Sequence, residues 1–186
     1  MINEKPDRRE LKTLGHPHDS IEAILGYQGL EQRVRELILN VCRPFCRTCS
    51  DCCCEKDFCS ESLDSYWLKM TWEMWGYDRS QYDESHGWLL SDGCRLVTGR
   101  PPVCYEYLCT KILSDVPGIP LDILKEVSML LSFTGKNALG NRHLITLSSE
   151  QILTRMNFNK LRRQIAKSLN LLRRYETEMR PFSLAG

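Results

Sequence analysis

The sequence predicts a mainly α protein: a small helical domain organised around a cysteine-rich loop, with a long C-terminal helix. Three observations carry that prediction. Apolar residues recur at intervals of three and four over several long stretches. Seven of the ten cysteines crowd into the segment from Cys42 to Cys59, which is too irregular for one amphipathic helix. Strand-like runs do not alternate with helical ones, as a parallel sheet would require.

Residues 1–18 mix Pro6, Gly15 and Pro17 with charges and read as a mobile arm. Asp19 and Glu22 have the spacing of an N-terminal capping pair. Ile24, Tyr27, Leu30, Val34, Leu37, Ile38 and Val41 then mark one face of a helix that delivers the chain to Cys42. Gly26 and Gly29 weaken its first turns, which places the well-formed part from Gln28 onward. Leu63, Tyr66, Trp67, Met70 and Met74 line a second helix ending at Gly76, and its three tryptophans are expected to cover the cysteine cluster. After a second cysteine segment, Cys94 to Cys109, Pro120 suits the first turn of a helix carrying Leu124, Val127 and Leu131. Ser148 and Gln151 fit a capping box. Ile152, Met156, Leu161, Ile165, Leu169, Leu172 and Tyr175 or Met179 extend a single terminal helix beyond it, and a short strand is expected at 143–146. The expected organisation is a cysteine-cluster domain over 19–117 with a helical region, 118–186, packed on it.

With 25 basic and 24 acidic residues, the chain has no global preference for nucleic acid or membrane. Its charges are unevenly spread: Asp51 to Asp92 holds ten acidic and three basic residues, Gln151 to Gly186 eight basic and two acidic. Arg155, Lys160, Arg162, Arg163, Lys167, Arg173 and Arg174 offer a surface for a protein partner, although a solvated helix face or pairing with the acidic middle accounts for the same charges. The polar N-terminus lacks the apolar core, roughly 7 to 15 residues long, of a secretory signal. No apolar run approaches the roughly 18 residues of a spanning helix. The expected location is the cytoplasm, where ten cysteines argue for metal ligation over disulfides.

Thiolates are soft, strongly donating ligands, and two of them separated by two residues reach one ion from a tight turn. Cys46, Cys49 and Cys52 provide two such steps in succession. Cys52, Cys53 and Cys54 are consecutive, and neighbouring side chains diverge by about 100° on a helix or 180° on a strand. They are therefore not expected all to serve one ion, which points to two adjacent sites or a polynuclear cluster. Arg43, Arg47, Arg95 and Arg100 are placed to offset thiolate charge or simply to face solvent. His16, His18 and His143 have no ligand spacing around them.

Cys46-x-x-Cys49-x-x-Cys52-Cys53, followed by Gly93-Cys94, Arg100-Pro101, Cys104 and Cys109, resembles the bacterial and archaeal cysteine-cluster family described as zinc- or iron-chelating and called YkgJ-like. The resemblance covers Cys42 to Cys109. In that family the second half opens with Cys-Pro-aromatic-Leu; here His86-Gly87-Trp88-Leu89 stands there, with His86 at the cysteine position. The resemblance implies Cys46, Cys49, Cys52, Cys53, Cys94 and Cys104 as principal metal ligands, with Cys42, Cys109 and His86 as further members. Cys59 falls outside the pattern. Zinc is favoured over iron or an iron-sulfur cluster, because histidine in place of a thiolate gives mixed sulfur and nitrogen coordination. If Cys104 and Cys109 share a helix, their five-residue separation turns them to different faces.

The alternative is an enzyme, either iron-sulfur redox or protein-modifying. Cys42-x3-Cys46-x-x-Cys49 spells the three-cysteine signature of radical S-adenosylmethionine enzymes, but the repeated strand and helix units of their barrel are missing. Some members of the resembling family, longer chains, are associated with lysine methylation of flagellin. No glycine-rich nucleotide loop accompanies the pattern here, and Gly135 to Gly140 falls short of a phosphate-binding motif.

Overall fold

Three long helices carry the fold. The computed structural model of the protein describes residues 18–46, 56–90, 93–115, 120–136, 138 and 140–179. In chain order these form α1 (His18–Cys46), α2 (Lys56–Ser62), α3 (Tyr66–Met74), a 3₁₀ turn (Arg79–Gln81), strands β1 (Leu89–Leu90) and β2 (Gly93–Cys94), α4 (Val103–Glu106), α5 (Thr110–Asp115), α6 (Leu121–Gly135), a second 3₁₀ turn (Leu144–Thr146), α7 (Glu150–Leu153) and α8 (Phe158–Met179). The mainly α class predicted from periodicity holds, and the expected arm at 1–18 lies, but for the backbone of His18, outside the described residues.

Helices α1, α6 and α8 pack pairwise. Their buried faces are the predicted periodic residues: Ile24, Leu30 and Val34 on α1, Leu124, Val127 and Leu131 on α6, Leu161, Ile165 and Leu172 on α8. Arg33 grips Glu176 through Nε at 2.9 Å and its terminal nitrogen at 2.5 Å, and Arg162 pairs with Asp19 and Glu22. Arg33–Glu176 and Asp19–Arg162 share one sequence separation, 143 residues, so α1 and α8 run parallel and in register. Thr134 meets Ser168 at 2.6 Å, and Glu126 meets Tyr175 farther along, so α6 is antiparallel to α8. Surface ion pairs contribute roughly 0–1 kcal/mol each, against roughly 1.5–3 kcal/mol for each buried large aliphatic side chain. The apolar seam therefore holds the helices, and the ion pairs mark their register.

Three expectations need correction. Helix α1 begins at His18, ten residues before Gln28, because its first turns are packed on α8. A Cβ at Gly26 would only touch Ile165, at an ordinary 3.5 Å, and tertiary packing outweighs the helix propensity of two glycines. The terminal helix is two helices. Asn157 Oδ1 accepts the Lys160 N–H at 2.9 Å, a strong cap that starts α8 afresh, while α7 begins after Ser149 with no capping box at Ser148. Residues 144–146 form a 3₁₀ turn, not a strand, because His143 Nδ1 caps it by accepting the Ile145 N–H. The strands lie instead at 89–94, paired antiparallel with Leu89 opposite Cys94 and Leu90 opposite Gly93. Buried side chains from both sides of residue 117 form one cluster.

Helix α3 bridges this bundle to the cysteine segments. Ser65 caps it by accepting the Leu68 N–H at 3.3 Å, and the Tyr66 N–H donates to Leu147 O at 2.6 Å. Trp67 meets Tyr27 of α1 edge-on, with ring centres 5.9 Å apart. Trp72 Nε1 donates to Gly99 O at 2.7 Å. Gly99 has φ +79°, and a Cβ there would lie 2.8 Å from both Thr71 Cγ2 and Trp72 Cδ1. The chain can approach α3 this closely only without a side chain. Gly99→Ala is expected to destabilise the protein by about 2–3 kcal/mol, combining overpacking with left-handed backbone strain. The check is the denaturation midpoint at unchanged slope; a parental midpoint would refute this packing.

Candidate functional site

The site is assembled around a buried carboxylate. Glu31, on α1, is 1% exposed and accepts hydrogen bonds from Thr98 Oγ1 (2.7 Å), Gly99 N–H (2.8 Å), Arg100 N–H (2.9 Å) and Tyr105 O–H (2.8 Å). Four donors on two oxygens are what makes burial of this group tolerable. They pin residues 98–105 to α1. The Arg100 guanidinium then turns back along the chain, donating to Leu96 O at 2.7 Å and Cys94 O at 3.5 Å. Cys94 and Cys104 are thus held on either side of one anchored segment.

A second anchor lies at the turn before the hairpin. Asp83 Oδ1 accepts the N–H groups of Ser85 and His86, both at 2.7 Å, and lies 3.1 Å from His86 Nδ1. Asp83 and Gly87 bridge across the turn. These bonds hold the Asp83 carboxyl below its usual range, the His86 N–H being the largest cause. Gly87 has φ +64°, and its Cβ position lies 3.4 Å from Cys59 Cβ and 3.6 Å from Lys56 Cα. The positive φ favours glycine here, while the space toward α2 would admit a Cβ at ordinary contact distance. Trp88, next along, is sandwiched between Trp72 and Tyr82, with ring centres 5.2 and 5.6 Å away.

These anchors frame an open pocket of about 80 Å³. Cys59 from α2, Cys94 from β2 and Cys104 from α4 face it, with His86 and Arg100 beside them. Phe58, Trp88, Leu89, Val103 and Tyr107 form the apolar wall. The neighbouring Cys104 thiol, then the Trp88 N–H and the Arg100 charge, favour the Cys59 thiolate; together they outweigh burial and lower Cys59 to about 7. Cys59 in turn holds the Cys104 proton on, reinforced by burial. Burial pushes the Cys94 thiol up. One of the three sulfurs is thus ready to ionise near neutrality, and two resist.

Of the residues expected to ligate, the structure brings Cys94, Cys104 and His86 to this pocket. His86 sits at the rim, its side chain 71% exposed. Cys42 is buried in the core and Cys109 is half-buried against it, and neither lines the pocket. Cys104 and Cys109 do not share a helix, since α4 ends at Glu106. Cys46 ends α1, with only its backbone described, and Cys49, Cys52, Cys53 and Cys54 lie outside the described residues. Among the described residues no group of three or more cysteine, histidine or acidic side chains is arranged to hold a metal ion. None of the described cysteines is in a disulfide.

Cys59 is the residue that spacing missed. No local motif marks it, because its partner Cys104 reaches it only through the Gly87 turn and the Glu31 anchor. Of the tryptophans expected over the cluster, Trp72 stacks on the pocket residue Trp88, while Trp67 packs into the helical core. Arg100 has the expected place beside the thiols. His143 serves as a half-buried cap, and desolvation lowers its basicity. On the basic helix α8, Arg162 is paired with Asp19 and Glu22 of α1 rather than with the acidic middle. No helix among the described residues is long and apolar enough to cross a membrane. Comparison with protein-family models, curated proteins and solved structures finds no match for the chain.

In metal-free protein, iodoacetamide should alkylate Cys59 with a half-maximal rate near the pKa of about 7, below the roughly 8.5 of an ordinary thiol. Cys104→Ala removes the largest cause and should move that midpoint upward. Peptide-level mass spectrometry across pH reads both, and a Cys59 profile indistinguishable from an ordinary thiol would refute the influence of Cys104.

Proposed function

We propose that the chain is a metal-binding cysteine-cluster protein of the YkgJ-like kind, holding zinc through thiolates of two segments, the 42–59 loop and the 94–109 stretch. The observation that supports this most is the convergence of Cys59, Cys94 and Cys104 on one pocket with His86 at its rim. Thiolate and imidazole are ligand types that suit tetrahedral zinc; as they stand, no three of these described side chains are arranged to hold an ion, so the reading draws its remaining ligands from the other cysteines of the pattern. His86 also carries the companion feature of metal-bound imidazoles: its Nδ1 faces the Asp83 carboxylate, an arrangement that orients the ring and leaves Nε2 for the ion. Arg100 offsets the negative charge that several thiolates bring. Cys46, Cys49, Cys52 and Cys53, the ligands that the resemblance implies in the first segment, remain in the proposed set. When bound, zinc ties the loop to the hairpin, and its binding free energy adds to folding.

Elemental analysis and an absorption spectrum on anaerobically purified protein test this reading. Colourless protein with stoichiometric zinc is expected. Broad visible absorption with iron and labile sulfide would assign the same thiolates to a cluster, and protein without metal would overturn the proposal. Cys52→Ser and Cys94→Ser should each lower bound metal and the unfolding temperature, because each removes a tie between distant segments.

His86 tests the nitrogen ligand separately. His86→Cys should retain the metal, whereas His86→Ala should lose it more readily to a competing chelator, its place on the ion taken by water. If both variants match the parent in metal content and fall within about 0.5 kcal/mol of its stability, as surface substitutions do, His86 is not a ligand.

A further inference from the structure

We propose that the exposed face of α6 pairs antiparallel with the same face of a second copy of the chain, forming a two-fold dimer with Met129 on its axis. This goes beyond the zinc reading and does not depend on it. Seven large apolar side chains among the described residues are exposed, and three of them, Leu121, Met129 and Phe133, lie on α6. Met129 is 40% and Phe133 51% exposed. Leu171 of α8 is a fourth, about one turn from both Ser168 and Tyr175, the side chains that tie α8 to α6. Apolar residues scattered singly over a surface are ordinary, but a group gathered on one helix marks a contact face.

The pattern along that face says what covers it. Asp122, Lys125, Met129, Phe133 and Lys136 are all exposed and follow one another at spacings of three, four, four and three, which keeps them on one stripe of the helix. The series reads the same from either end. Turned end for end about Met129, the stripe sets Asp122 against the partner's Lys136, Lys125 against the partner's Phe133 and Met129 against the partner's Met129. Each of the first two pairings occurs twice across the axis. The Lys125 stem covers the ring it meets, and its charge lies within reach of the ring face. A parallel pairing would instead set like charges together at both ends and repel.

Asp122, Lys125 and Lys136 form no ion pair among the described residues, so their charges are free to meet a partner. Glu126, which borders the stripe, is already engaged by Tyr175. An apolar centre with a charged rim is the anatomy of a protein interface, and a surface that is its own complement is what a two-fold axis requires. A single pair of helices is a small interface, so the dimer forms with rising concentration and is not obligate.

Sedimentation velocity of the full-length protein as purified, in reducing buffer from low micromolar to near-millimolar concentration, tests this. The weight-average mass should rise from one chain toward two. Met129→Glu sets like charges together on the axis and should weaken the dimer about tenfold or more. Asp122→Lys and Lys136→Asp should each weaken it about tenfold, since each reversal turns two attractive pairs repulsive. The double variant exchanges the two charges and should return to within about twofold of the parent. Thermal unfolding of the dilute variants checks that each keeps the fold, as substitutions at exposed positions do. Protein that stays a single chain throughout would overturn the proposal. So would a dimer that Met129→Glu leaves intact, which would assign it to another face or to a bridging metal ion. Single charge reversals that the double variant fails to rescue would overturn the antiparallel pairing.

Discussion

Glu31 is the group on which the rest of the structure depends. It sits on the best-packed helix, nearly free of solvent, and its two oxygens collect four donors from a segment far along the chain. A carboxylate in that position would be costly if any donor were withdrawn, since an unpaired buried charge loses hydration without replacement. The cost works as a positioning force. Thr98, Gly99, Arg100 and Tyr105 have one arrangement that satisfies Glu31, and that arrangement sets the flanking cysteines in place.

Two glycines then shape the approach to the pocket. Gly99 lets the anchored segment lie against Thr71 and Trp72, and Gly87 supplies the positive φ of the pre-hairpin turn beside Cys59. Both have positive φ, and both have neighbours where a side chain would begin. Between these contacts Trp88 is gripped by Trp72 and Tyr82, so the floor of the pocket is rigid aromatic surface while its rim carries the ionisable groups.

The electrostatics of the pocket follow from that geometry. Cys59 has the Cys104 thiol, the Trp88 N–H and the Arg100 charge beside it, and its thiolate is favoured; Cys104, its neighbour, keeps its proton; Cys94 is raised by desolvation as the leading cause. Three chemically identical side chains thus differ in readiness to ionise because their surroundings differ.

By itself the sequence determined the mainly α class, the core-facing residues of the three long helices and the glycine that ends α3, since 3.6-residue periodicity and local caps are properties of short windows. It also singled out Cys94, Cys104 and His86, which tertiary structure brings to one pocket. What only tertiary structure decided is of two kinds. Helix limits moved where packing or a stronger cap competed with propensity: α1 runs through Gly26 because α8 lies on it, and Asn157 splits the terminal helix. Cys59, Glu31 and the Gly87 turn were illegible because each acts across a long sequence separation. A carboxylate in an amphipathic helix reads as a solvated charge until the four donors that bury it are known, and a lone cysteine reads as a small hydrophobe until a distant thiol is folded against it.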